Sequence, residues 1–146
     1  MSYLPPSSNA QYAGAPVAAW FLMLSSLLEI VPGCIHYFLP DGGAGVIAGL
    51  DLTHNRSMIL ALFAWTGSVQ IPFGIALFIV GLRYRTLVPL FLSLNMLERF
   101  LMSLSGWVLR PPGAGGHHPP EHYGSPVSVL LLGIFLYLSL SRRKAD

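Results

Sequence analysis

Residues 95–100 read NMLERF: an amide, an acid and a base inside an otherwise apolar run. On a helix, Asn95 shares a face with Glu98 and Arg99 through its i,i+3 and i,i+4 spacing. Glu29 and Gln70 lie in two other apolar runs, and Ser25 stands one turn before Glu29. Two kinds of work are open to such groups. As interhelical glue, Arg99 bridges Glu29 while Gln70 and Asn95 satisfy the remaining donors and acceptors; polar contacts between membrane helices contribute about 0.6–2 kcal/mol. As catalysts, two acids outnumber one arginine. Glu29 or Glu98 is then left as a candidate proton donor or acceptor, with Arg99 or Asn95 steadying developing charge. Adjacent helical positions point about 100° apart, so Glu98 and Arg99 cannot both face Glu29. The planar donors of Arg99 make it the expected partner, with Glu98 directed toward Gln70, a cavity or another protein.

A second constellation gathers the five histidines, His36, His54, His117, His118 and His122, with Asp41, Asp51 and Glu121 nearby in sequence. Imidazole and carboxylate suit Zn²⁺ or Cu²⁺, which makes His117, His118, Glu121 and His122 in GGHHPPEHYGS a candidate metal set. No fixed metal spacing is matched, however, and the two prolines argue against a helical HxxxH face. A solvated His- and Pro-rich loop is the competing reading. His36 follows Glu29 by seven residues, roughly on the same face, with Pro32 and Gly33 between them. EIVPGCIH therefore reads as a broken helix whose freed carbonyls line a cavity, with His36 and Gln70 as ligand-binding candidates. The alternative is a helix-end histidine bonded at the membrane interface. Only His36 nears a depth suited to a haem ligand. The single Cys34 cannot form an internal disulfide and reads as a packing residue.

Positioning these groups falls to four long apolar segments. The chain has 146 residues, 53% hydrophobic and only 10% charged, against roughly 25% charged for a soluble domain. Segments 16–38, 57–82, 86–109 and 126–140 approach or exceed the length needed to cross about 30 Å of hydrocarbon. The expected fold class is all-α: a polytopic integral membrane protein, a bundle of four transmembrane helices over 16–141. A flexible tail, 1–15, precedes it and a basic tail, 142–146, follows. With four spans, both termini lie on one side with the RYR turn. That side carries Arg83, Arg85, Arg142, Arg143 and Lys144; the other carries Arg56 and Arg110. This bias places the termini in the cytoplasm and the histidines outside. Gly67, Gly74 and Gly81 recur every seven residues, a smooth stripe for core packing or dimerisation. In the first outer connection, AGVIAGL reads as a short re-entrant or interfacial piece. A net charge of +2 is too small to argue for a nucleic-acid partner. No P-loop, dinucleotide fingerprint, GxSxG, HExxH or CxxC occurs, which removes hydrolase and nucleotide readings based on those motifs.

The exit from the first span, EIVPGCIHYFLPDG, the glycine-striped GSVQIPFGIALFIVGLRYR and the polar third span together resemble the DoxX-like group of small bacterial membrane proteins, over about 16–140. That group includes accessory membrane subunits and many members without assigned activity, so the resemblance implies a bacterial inner-membrane protein and little chemistry, and no catalytic residue is carried over from it. Two functions are expected. One is a non-catalytic accessory or packing subunit in the lipid bilayer, beside a larger membrane protein or a second copy. The other is an intramembrane enzyme doing acid–base chemistry on a lipophilic small molecule, such as a lipid, isoprenoid or sterol-like substrate.

Overall fold

The computed structural model of the chain describes residues 3–111 and 118–141. Four long helices follow one another: α1 (Pro16–Phe38), α2 (Arg56–Arg83), α3 (Val88–Leu104) and α4 (Pro120–Leu140). A 3-10 turn, Arg85–Leu87, leads into α3 and a π-helical turn, Ser105–Leu109, extends it. All four units are long and apolar enough to cross a membrane. Among the described residues there is no strand, and the chain is an all-α bundle of four such helices.

The fourth helix is longer than its apolar run suggests. It begins at Pro120 rather than near residue 126, with proline at the first helical position and Glu121 in the first turn, where a preset φ and an acid both favour initiation. Pro126 stays inside the helix. Because proline has no N–H, the His122 carbonyl four residues back loses its helical partner; the Trp107 indole N–H donates to it instead at 2.8 Å. The same device operates in α1. Pro32 frees the Leu28 carbonyl, which accepts from Arg99 Nη2 at 3.4 Å. The break expected at Pro32 and Gly33 is therefore absent, and α1 runs unbroken from Pro16 to Phe38.

Helices α1 and α2 pack closely along their lengths, and α3 and α4 form a second pair; α1 meets α4 much more sparsely. The glycine stripe of α2 makes the first pairing. A Cβ on Gly67 would stand 2.5 Å from the Gly33 carbonyl oxygen, and one on Gly74 would stand 2.9 Å from Glu29 Cβ. A Cβ on Gly81 would lie 2.9 Å from the Ala19 carbonyl oxygen. The stripe is thus used within the chain. Phe21 and Phe135 stack between α1 and α4, with ring centroids 3.8 Å apart. The apolar core, including Ala18, Leu22, Leu77, Val88, Leu92 and Leu132, occupies the half of the bundle nearer the termini.

Residues 5–15 hydrogen-bond to the ends of α2 and α4. Ser7 Oγ and the Ser8 N–H donate to the Arg83 carbonyl, and Asn9 Nδ2 donates to the Leu82 carbonyl at 2.8 Å. These side chains satisfy acceptors that the end of a helix leaves free. At the other end of the bundle, residues 40–48 form consecutive turns, with Ala44 fully buried. The Asp41 carboxylate accepts from the N–H groups of Val46 at 2.9 Å, Gly43 at 2.9 Å and Gly45 at 3.1 Å. Gly42 and Gly43 take φ of 61° and 76° there, a region open to glycine at little cost.

Candidate functional site

Arg99 is the centre of the polar cluster. It is 3% exposed on α3, and its Nη2 pairs with Glu29 Oε1 on α1, which is completely buried. Its Nη1 donates to both carboxylate oxygens of Glu121 on α4, each at 3.0 Å. One guanidinium thus joins three helices, its two terminal nitrogens turned to different carboxylates. Ser125 Oγ supports Glu121 at 3.2 Å. Sequence reasoning brought Glu29 and Arg99 together but set Glu121 aside as a metal ligand. Its signal lay in PPE, a helix start with an acid in the first turn.

Glu98 does not turn toward Gln70. Its carboxyl lies near that of Glu29, and Oε2 of each is buried with no hydrogen-bond partner. Three carboxyls thus meet one guanidinium. Gln70 sits elsewhere, on α2 over Gly33, with its Oε1 buried and unpartnered. Asn95 is 1% exposed and donates through Nδ2 to Ser25 Oγ at 3.3 Å.

Cavities surround this cluster. One of about 400 Å³ lies between α1, α3 and α4, with Phe21, Leu28 and Leu131 among its walls and Asn95 and Arg99 at its polar side. A second, of about 350 Å³, is bounded by Pro32, His36, Phe63, the turn at residues 43–50, and Glu121. A smaller one of about 200 Å³ shares Leu28, Arg99 and Ser128 with the first, and Pro32, Pro120 and Glu121 with the second. Hollows therefore follow the thin α1–α4 seam from the Arg99 level to the histidine end. His36 lines the second cavity, and its Nδ1 lies 2.8 Å from the Gly42 carbonyl oxygen. Phe63 meets its ring edge to face.

Among the described residues the other histidines form no metal cage: no three His, Cys, Asp or Glu side chains converge on one point. Glu121 is turned inward to Arg99. His122 stacks on Trp107 with centroids 4.1 Å apart, and His118 lies 4.5 Å from His122. His117, the remaining member of the expected set, lies outside the described residues. His54 is exposed on the connection before α2.

With this geometry, the chain was compared with known proteins: no family model, no curated protein and no solved structure matches it.

Proposed function

We propose that the chain is a non-catalytic accessory subunit of the bacterial inner membrane, both termini in the cytoplasm, which presents a fixed helical surface to a larger membrane protein or a second copy. The observation that carries this reading is the engagement of both terminal nitrogens of Arg99. Two carboxylates and the Leu28 carbonyl occupy Nη1 and Nη2, so the one Lys or Arg away from the ends of the spans holds α1, α3 and α4 together. The resemblance of the span plan to DoxX-like proteins supports the accessory role, and the basic residues of the terminal side support the orientation. No metal or cofactor is part of this reading.

A double-mutant cycle tests it. Removing either member of a buried ion pair strands the other charge, which commonly costs about 3–5 kcal/mol, whereas replacing both by apolar groups is often neutral. For a clamp, Arg99→Met with Glu29→Leu should resist unfolding in detergent far better than either single change. Equal instability of the double and single variants would count against a clamp.

The unpartnered buried oxygens Glu29 Oε2 and Glu98 Oε2 favour a second reading, the intramembrane acid–base enzyme, because a buried carboxyl with a free oxygen is a plausible proton donor or acceptor. Glu98→Gln separates the two readings. An accessory subunit bearing it keeps its stability and its partner. An enzyme bearing it keeps its stability and no longer converts any component of a membrane lipid extract, as followed by mass spectrometry.

A further inference from the structure

We infer that the cavity between α1, α3 and α4 binds a lipophilic molecule ending in a hydroxyl or other neutral hydrogen-bond donor, taken from the bilayer and seated with that donor on Asn95 Oδ1. The site goes beyond the accessory role and requires no turnover.

The orientation of the Asn95 amide is settled by its neighbour. Ser25 Oγ donates its only proton to the Leu22 carbonyl at 2.9 Å, so toward Asn95 it can only accept, and Asn95 must present Nδ2. The carbonyl oxygen is left facing elsewhere. Asn95 borders the cavity, is 1% exposed, and its Oδ1 has no hydrogen-bond partner. A buried amide oxygen without a donor is costly in hydrocarbon, and no water is at hand there to satisfy it. A ligand donor would repair that deficit.

The rest of the cavity selects the body of the ligand. Its volume of about 400 Å³ falls within the roughly 300–1,000 Å³ of small-molecule sites. Leu24, Leu28 and Leu131 wall it and are themselves 62%, 54% and 42% exposed on the outside of the bundle, so the cavity opens sideways toward the acyl chains. The opening follows the thin contact between α1 and α4. Charge selects a neutral head. Arg99 borders the cavity and, as the nearest charge to it, repels a cation, while Glu29, Glu98 and Glu121 around it offset the attraction it would offer an anion.

The test uses the full chain in lipid nanodiscs, with a photoactivatable long-chain alcohol as probe and dodecanol, dodecane or dodecanoate as competitor. Labelling is expected on peptides holding Leu24, Leu28 and Leu131, displaced about tenfold better by dodecanol than by dodecane, the ratio one net hydrogen bond gives. Asn95→Leu should erase that preference while leaving alkane displacement in place. Should Asn95→Leu fail to fold, Leu131→Trp fills the cavity from its exposed rim without touching Asn95 and should abolish labelling. Equal displacement by dodecanol and dodecane in the wild type would mean that ordinary acyl tails fill the groove, and would overturn the inference. So would stronger displacement by dodecanoate.

Discussion

Arg99 holds two carboxylates that stand in different surroundings. Glu29 is completely buried, whereas the Glu121 side chain is 39% exposed. Arg99→Met should therefore destabilise the bundle by about 3–5 kcal/mol, because the stranded Glu29 has no water to turn to. Glu121→Gln should cost about 1 kcal/mol or less, since a partly hydrated ion pair contributes little. Chemical unfolding in detergent distinguishes the two, and equal costs would mean that Glu121 is as buried as Glu29. Outside the spans, Asp41 is the residue whose protonation matters. N–H donation from Val46, then Gly43 and Gly45, holds its carboxyl below the ordinary aspartate value. A group whose folded value is depressed stabilises above its unfolded value, and that contribution disappears as pH falls through the folded one. The turn at 40–48 should thus keep its amide protection from hydrogen exchange through the ordinary carboxylate range and lose it only at more acidic pH. In Asp41→Asn, protection should be lower at neutral pH and nearly independent of acidification. The pairing of Glu29 with Arg99 was legible in the sequence because membrane charges need partners and only one cation was available at that depth. The role of Glu121 was not, because it depends on how α4 docks against α3.

At the scale of the helices, prolines explain both where sequence reading succeeded and where it failed. The apolar runs of α1, α2 and α3 announce their spans within a residue or two, since lipid tolerates little else. Pro126 looked like a boundary and Pro32 like a break, yet both lie inside continuous helices because α3 supplies the missing donors. That compensation is tertiary and has no local signature. It has a measurable consequence. Trp107→Phe leaves the His122 carbonyl without a donor and should cost about 1–2 kcal/mol. In a Pro126→Ala background, the restored alanine N–H can reach that carbonyl, and the same change should cost clearly less. A tryptophan change that costs the same in both backgrounds would place the value of Trp107 in its stacking on His122. The α1–α2 seam allows no such compensation. Gly74→Leu must force apart atoms already in contact with Glu29 and Ile30, so it should separate the pair and lower the unfolding midpoint more than any change on the lipid-facing side of α2.

For the whole molecule, hydrogen bonds and helix order group the segments onto two sides, and charge decides which side faces which compartment. The N-terminal segment hydrogen-bonds to the end of α2 and, through Ala15, to the Leu138 carbonyl of α4, so the N-terminal segment, the α2–α3 turn and the end of α4 share one side. His54 and the Asp41 turn share the other. Arg83 and Arg85 on the first side are balanced by Arg56 and Arg110 on the second, and a balance of two against two sets no orientation. The decision falls to Arg142, Arg143 and Lys144, whose basic charge next to a span end favours the cytoplasm. With Cys34→Ala as background, His54→Cys should react with a membrane-impermeant maleimide in intact bacterial cells. Tyr3→Cys, at a position 99% exposed, should react only after permeabilisation. Replacing all three terminal basic residues by serine should then give a mixed population, with each site partly labelled from outside. Complete labelling of Tyr3→Cys in intact cells, with the tail unaltered, would reverse the orientation. Complete labelling of both sites would mean that no bilayer separates them and that the helices do not span it.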